Sequence, residues 1–399
     1  MSGLRTANRN GLCSGHKWLV SGMVEQSSSL PADSILVRGV NWLGDAVMIT
    51  PALQRLRERF PKANITLLTH EKLADLWQNH PNLDRVLTFA AGESPWSIGR
   101  RLRAEGFQTA LVLPNSPRSA LEVWLARIPR RVGYGRAWRN WFLTQTIPPR
   151  RGQVHMHKRS VREIKRLIRL PAPAARNTEH GTRNPHQIHD YLHLAAALGA
   201  DEAPLAPHLH VTAPELEKVA QRFGLQTGPQ PNQTQPLFGL NAGAEYGPAK
   251  RWPSERFVAA AREIQQRTNC RWLIFGGKSD ASLAGEIESA IGAAQPALNL
   301  AGQTSLREFM GLLKLCRVLL TNDTGPMHVA AALGTTVVVP FGSTSPELTG
   351  PAVSGDIRHQ LLQSEAPCSP CFRRSCPIDF RCMTGISVES VVAAVLRAV

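Results

Sequence analysis

The stretch 35-ILVRGVNWLGDAVMITPAL-53 decides how the whole chain is read. Ile35, Leu36 and Val37 form a short apolar run of β character. Gly39 and Gly44 then bracket four residues, and a helical pattern follows. Strand, glycine turn and helix in that order open a parallel α/β sheet. Such a junction attracts anions, because the first amides of a helix are unpaired and its dipole points positive. A phosphate-binding loop would continue with Lys and then Ser or Thr; here the chain continues Asp45-Ala46. A carboxylate at that place repels phosphate and can instead take a proton from a neutral nucleophile such as a sugar hydroxyl. Asp is also a favoured N-cap, which by itself accounts for the residue type. Helix-terminal amides would stabilise the carboxylate and so weaken it as a base.

The same rhythm continues outward. Strands are expected at 35–39, 64–70, 84–89 and 108–115, with helices around 45–59, 71–78, 96–105 and 117–126. Strands separated by helices pair in parallel through right-handed crossovers. Residues 171–188 (PAPAARNTEHGTRNPHQI) are polar and Pro-rich and read as a flexible excursion. A helix at 189–199 and a hinge at 203-APLAP-207 follow. The rhythm then resumes with strands at 236–243, 271–277, 317–323 and 335–343. Helices are expected near 254–268, 279–292, 305–315 and 326–333, and a last amphipathic helix near 386–398. The patch 228-GPQPNQTQP-236 reads as a surface loop. The expected architecture is α/β with two Rossmann-like domains, 34–202 and 208–385, facing a central cleft, and a C-terminal helix over 386–399. In such sheets ligands sit beyond the carboxyl ends of the strands.

At 399 residues the chain is long enough for two cores, and its net charge of +16 points to anionic partners. Thirteen basic residues lie between Arg127 and Arg169, opposed only by Glu163. A solvated face and a polyanion site both fit that run. No segment approaches the roughly 18 apolar residues that span a bilayer. Residues 1–33, with only a short apolar patch 18-WLVSGMV-24, are expected to be a disordered extension, or an upstream start with Met23 as the real one. The protein is expected in the cytoplasm. Four of seven cysteines, Cys368, Cys371, Cys376 and Cys382, crowd the C-terminal region as C-x2-C-x4-C-x5-C. Ordinary thiols, a metal site and disulfides all remain open there, although the spacing fits no common zinc module.

Three further stretches carry chemistry. In 321-TNDTGPMHVAAALG-334 a strand ends at Asn322-Asp323 and a helix begins near Pro326, which suits a helix's first turn. Thr324, Gly325 and His328 would face a cleft there as a cradle for a pyrophosphate, unless Asp323 and Thr324 merely cap the helix. In 241-NAGAEYGPAKRWPSERF-257, Lys250 can reach a diphosphate as a point charge, or be one of a solvated Lys–Arg pair. The stretch 299-NLAGQTSLREF-309 adds a turn at Gly302 before a capped helix. There is no G-x-G-x-x-G, no G-x-S-x-G and no D-x-D. Without a carboxylate pair to hold a divalent ion, protein cations and helix termini would neutralise a nucleotide leaving group.

Together these motifs resemble the ADP-heptose–lipopolysaccharide heptosyltransferases. The resemblance rests on the opening stretch, 113-LPNSPRSAL-121, 130-RRVGYGRAWRNWFLT-144, 241–253, 321–334 and 341-FGSTSPELTGP-351. The end, 368-CSPCFRRSCPIDFRCM-383, is most like the heptosyltransferase II branch. The resemblance implies a GT-B fold and an inverting, metal-independent transfer of L-glycero-D-manno-heptose from ADP-heptose, with no cofactor. The acceptor would be Kdo-lipid A bearing one heptose. Asp45 would be the general base. Lys250, Asp323, Thr324, Gly325, Pro326, His328 and Gly302 would bind the donor, and Asn41, Gly44, Asn115, Ser116 and Arg139 the acceptor. A basic N-terminal half suits an anionic acceptor at the cytoplasmic face of the inner membrane, where each basic residue contributes on the order of 1 kcal/mol. A related transferase with another acceptor or nucleotide-sugar is the alternative. A nucleic-acid-binding protein is permitted by charge alone, but no helix-turn-helix, zinc-finger or aromatic RNA-binding signature accompanies it.

Overall fold

The computed structural model describes residues 34–169, 185–225, 235–292, 297–351 and 358–399. The expected extension 1–33, most of the excursion 171–188 and most of the loop 228–236 lie outside these residues.

The N-lobe sheet comprises β1 (Ser34–Arg38), β2 (Asn64–His70), β3 (Arg85–Phe89), β4 (Thr109–Val112), β5 (Arg130–Tyr134) and β6 (Gln145–Ile147). Its helices are α1 (Leu43–Met48), α2 (Thr50–Arg59), α3 (Pro95–Ala104), α4 (Pro117–Leu125), α5 (Val161–Leu167) and α6 (Ile188–Ala196). The C-lobe opens with α7 (Ala213–Arg222) and has strands β7 (Leu237–Asn241), β8 (Arg271–Ile274), β9 (Leu298–Asn299), β10 (Val318–Thr321), β11 (Thr336–Phe341) and β12 (Gln360–Gln363). Between and after them run α8 (Ser254–Thr268), α9 (Ala281–Ile291), α10 (Leu306–Leu315), α11 (Gly325–Ala332), α12 (Pro346–Thr349), α13 (Arg381–Thr384) and α14 (Val388–Ala398).

The first sheet has the order β3-β2-β1-β4-β5-β6, and the second β12-β11-β10-β7-β8-β9. The strand pairs are parallel. Read from its own first strand, the second sheet repeats the order of the first, so each lobe is a Rossmann-like unit. Each order reverses direction once, between β1 and β4 and again between β7 and β10. The loops leaving these four strands carry Asn41–Asp45, Asn115–Ser116, Asn241–Lys250 and Asn322–His328. Ligands bind at such switch points because the diverging crossovers leave a crevice there.

The central strands are buried on both faces, which explains their unbroken apolar runs: Ile35, Leu36 and Val37 are all sealed from solvent. The largest apolar core is continuous between lobes, from Ile35 and Leu53 through Trp77 to Met310 and Val339. The expected single helix over 45–59 is two helices. Pro51 has no N–H for the carbonyl of Val47, and the Thr50 hydroxyl donates to that carbonyl instead, at 2.8 Å. The expected helix at 71–78 is a 3-10 turn, Glu71–Trp77.

The lobes are tied together in three places. Arg159 N donates to Cys371 O, so α5 packs on the cysteine-rich loop, with Ile164 against Cys368 and Cys371. His186 bonds to Gly350 O and Gln187 N donates to Leu348 O. Beyond 203–207, which carries no helix or strand, His208 N donates to Thr50 Oγ1 and Leu209 N to Ala332 O. Helix α14 buries Val391, Val392 and Val395 in the C-lobe core.

Candidate active site

The GVNWLGD turn and the NDTGPMH turn meet head-on. A Cβ built on Gly44 would lie 2.7 Å from His328 Cδ2, and one on Gly325 would lie 2.9 Å from the Leu43 side chain. Gly44, expected to admit an acceptor, lines the cavity and also makes room for the opposite lobe. Gly39 likewise packs on the backbone of β2, its Cβ position 3.2 Å from Leu68 O.

Asp45 lies inside the first turn of α1, whose N-cap is Trp42, so Asp45 does not cap the helix. Its Oδ1 accepts from Gln187 Nε2 at 2.9 Å and from the Tyr191 hydroxyl at 3.2 Å. Gln187 also donates to the Tyr191 oxygen, so α6 presents two coupled donors to one carboxylate oxygen. The other oxygen has no such partner among the described residues. Burial raises the Asp45 pKa above its ordinary value, opposed by the bonds from Tyr191 and Gln187 and by the charge of Lys250. Burial therefore outweighs these hydrogen bonds and the Lys250 charge, and makes Asp45 a stronger base than a free carboxylate. Tyr191 is pushed well above its usual range, first by burial and then by the neighbouring Asp45 charge, so it stays a donor.

Lys250 closes a 3-10 turn, Pro248–Lys250, and its Nζ lies 2.6 Å from Asp323 Oδ2 and 5.0 Å from the Tyr246 ring centroid. Thr344 donates to the same Asp323 oxygen. Asp323, expected to touch the donor itself, lines the cavity and holds Lys250 through Oδ2. Thr324 is the N-cap of α11 with no side-chain capping bond, so its hydroxyl at the helix's positive end is not used for capping; Pro326 sits in the first turn. Burial pushes His328 down to about 4, so it is a neutral imidazole whose buried Nδ1 has no partner among the described residues.

These groups line one cavity of about 890 Å³, into which Trp42 and Asp45 project from one lobe and Lys250, Thr324 and His328 from the other. Its volume suits a nucleotide-sized ligand. Gly302 is not on its wall: with φ +72 and its N–H on Gly276 O, it shapes the turn beneath. Its neighbours Thr304, Ser305 and Phe309 line the cavity. Asn41, Asn115 and Ser116 are exposed but lie off the wall. Asn41 Oδ1 accepts from Arg38, which is fixed by a buried ion pair to Glu122 at 2.8 Å. Ser116 caps α4. Arg139, expected at the acceptor's surface, is 0 % exposed; it donates to Asn115 Oδ1 at 3.2 Å and supports that side chain from behind. Its Nε and Nη2 have no partner among the described residues, and burial pushes its pKa down to about 10.

Comparison with known proteins places this geometry. The family model for glycosyltransferase family 9 (heptosyltransferase) matches residues 156–380. This chain belongs to glycosyltransferase family 9. It is 30% identical to the lipooligosaccharide heptosyltransferase 2 of Haemophilus ducreyi over 79% of this chain and 85% of that one. The lipopolysaccharide heptosyltransferase 2 of Escherichia coli matches at 30% with the same coverage. The solved structure of the E. coli ADP-heptose LPS heptosyltransferase II superposes with a TM-score of 0.72 at 26% identity, over 92% of this chain and 98% of that one. The fold is therefore GT-B, and the chain is a glycosyltransferase.

In this family 9 enzyme several site residues escape sequence reasoning. Gln187 and Tyr191 carry no local signal, and Gln187 falls within the stretch read as an excursion. Asn322 ties the two C-lobe loops together, donating to Ala242 O and accepting from Trp252 N; its place beside Asp323 was the only hint. Thr344 lies in the Gly/Ser/Thr stretch after β11. Cys368, Cys371 and Cys382 are buried, Cys376 is partly so, and all four are free thiols. No group of three or more metal-ligating side chains converges among the described residues.

Proposed function

We propose that this glycosyltransferase moves L-glycero-D-manno-heptose from ADP-heptose to the first heptose of the lipopolysaccharide inner core, with inversion. The observation that carries the mechanism is Asp45 facing Lys250 and the start of α11 across one cavity. The printed names of the relatives, heptosyltransferase 2 in each case, support the substrates.

In this reading the free Oδ2 of Asp45 receives the proton of the acceptor hydroxyl as its oxygen attacks the anomeric carbon. The C–O bond to the diphosphate breaks on the opposite face, which inverts the centre. The charge that develops on the departing ADP meets Lys250 Nζ, the Thr324 hydroxyl and the Gly325 end of α11. His328, neutral, donates or accepts without adding charge. Asp323 keeps Lys250 in place between turnovers. No cofactor is required in this scheme. Asn41, Asn115 and Ser116 contact the acceptor at the N-lobe rim. The acceptor, Kdo-lipid A with one heptose, is met by peripheral contact at the cytoplasmic face of the inner membrane. Among the described residues no helix is long and apolar enough to cross a membrane.

The test is transfer from ADP-heptose to a defined one-heptose lipopolysaccharide precursor, read by mass spectrometry. A single heptose should be added. A thermal-shift series with ADP, UDP, GDP and CMP identifies the nucleotide. Stabilisation by UDP and not ADP sinks the heptose reading in favour of another nucleotide-sugar.

A further inference from the structure

No Asp or Glu occurs between Glu122 and Glu163. On the N-lobe this acid-free stretch forms the end of α4, strands β5 and β6, and the 3-10 turn Asn140–Phe142. Trp138, just before that turn, and Trp141 on it are 80% and 84% exposed. Trp124, 43% exposed at the end of α4, packs edge-on against Phe142 with ring centroids 5.7 Å apart, which joins the helix and the turn into one aromatic face. Trp138 has φ +67, a left-handed conformation that costs a bulky residue energy and persists only where its surroundings impose it. Arg127 and Arg136 are also exposed, three positions after Trp124 and two before Trp138 on the same acid-free stretch.

Isolated exposed apolar residues need no explanation. Three exposed tryptophans that share an acid-free stretch with exposed arginines are a different matter. Indole rings favour the layer between water and hydrocarbon, and guanidinium groups favour an anionic surface. We propose that this face, Trp124, Trp138 and Trp141 with Arg127 and Arg136, docks the enzyme on an anionic phospholipid bilayer. The same turn carries Arg139, which bonds to Asn115 at the end of β4. The docking face thus adjoins the Asn115 loop that the proposed function assigns to the acceptor, and a membrane-anchored acceptor would reach that loop from the side the bilayer occupies. That orientation rests on the glycosyl-transfer reading; the docking itself does not.

The full chain is co-sedimented with vesicles of phosphatidylcholine, with and without phosphatidylglycerol, across a salt series. Three proteins are compared: the wild type, Trp138→Ser/Trp141→Ser, and Arg127→Gln/Arg136→Gln. The wild type should prefer anionic vesicles, and each double variant should bind at least about tenfold more weakly. The arginine variant should lose most of the salt dependence. All three should keep the same thermal shift with ADP, which shows an intact fold and cavity. Equal binding by wild type and variants, or no preference for anionic lipid, overturns the proposal. So does vesicle-independent self-association that the tryptophan variant abolishes, which assigns the face to a second copy, or capture of duplex DNA by the same face in place of vesicles. Vesicle binding without any ADP shift would leave the face standing and sink the donor reading instead.

Discussion

At the scale of residues, Asp45 is set apart by its two unequal oxygens. Oδ1 is clamped by Gln187 and Tyr191, and Oδ2 has no hydrogen-bond partner among the described residues. Asp45→Asn should cut turnover by about 10²–10⁴, the usual weight of a general base, while ADP binding by calorimetry stays close to wild type. A base works only when ionised, and burial raises this one above 3.8. The acidic fall of kcat/KM should therefore lie at higher pH than for a free carboxylate. Tyr191→Phe removes a bond that favours the ionised form, so the fall should move to still higher pH; an unmoved profile would show that Tyr191 does not tune the base. Lys250 and Asp323 form the other critical pair. Lys250→Ala leaves a buried carboxylate without its cation, which costs about 3–5 kcal/mol. Both the melting temperature and ADP affinity should drop. Of these groups, Asp45, Lys250 and the Asp323–His328 turn were legible in the sequence because each lies in the connection that leaves a strand's carboxyl end. Gln187 and Tyr191 were not, because their partner lies more than a hundred positions away and nothing near them alternates, caps or repeats.

At the scale of elements, α1 and α11 meet through two glycines. Gly44→Ala sets a methyl 2.7 Å from the His328 ring. It should raise the KM for donor and lower kcat together, because the turn carrying Asp45 must retreat. Gly44→Ala/His328→Ala should recover part of the loss in a double-mutant cycle; strict additivity would show that the two do not press on each other. Most elements were readable from sequence, since parallel strands buried on both faces are unbroken apolar runs. Four strands were not. β5 is RRVGY, its apolar signal diluted by arginine, and β6, β9 and β12 are too short to show a period. Helix α7 was overlooked although its capping box, Thr212 with Glu215, stands in the sequence. Pro51 marked the break between α1 and α2 and was read only as part of one longer helix.

At the scale of the molecule, three histidines are held neutral. His80, His186 and His328 are each depressed by burial from 6.5 to about 4. His186 shows how: Nδ1 accepts from Ile188 N while Nε2 faces Gly350 O, which leaves room for one ring proton only. Between those two pH values the unfolded chain binds protons that the folded chain refuses, so stability must fall as pH drops from 6.5 toward 4. The melting temperature should decline steeply over that window, and His186→Asn should flatten the decline. The apolar core shared by the lobes predicts one cooperative calorimetric transition, moved upward by ADP. The thread between the lobes has a separate consequence. Residues 203–207 form the obvious connecting strap, yet α5 grips the cysteine-rich loop, His186 and Gln187 grip α12, and the core runs across. A protease that nicks the strap would cut a seam that other fastenings keep shut, and the nicked enzyme should elute as a single particle that still turns over.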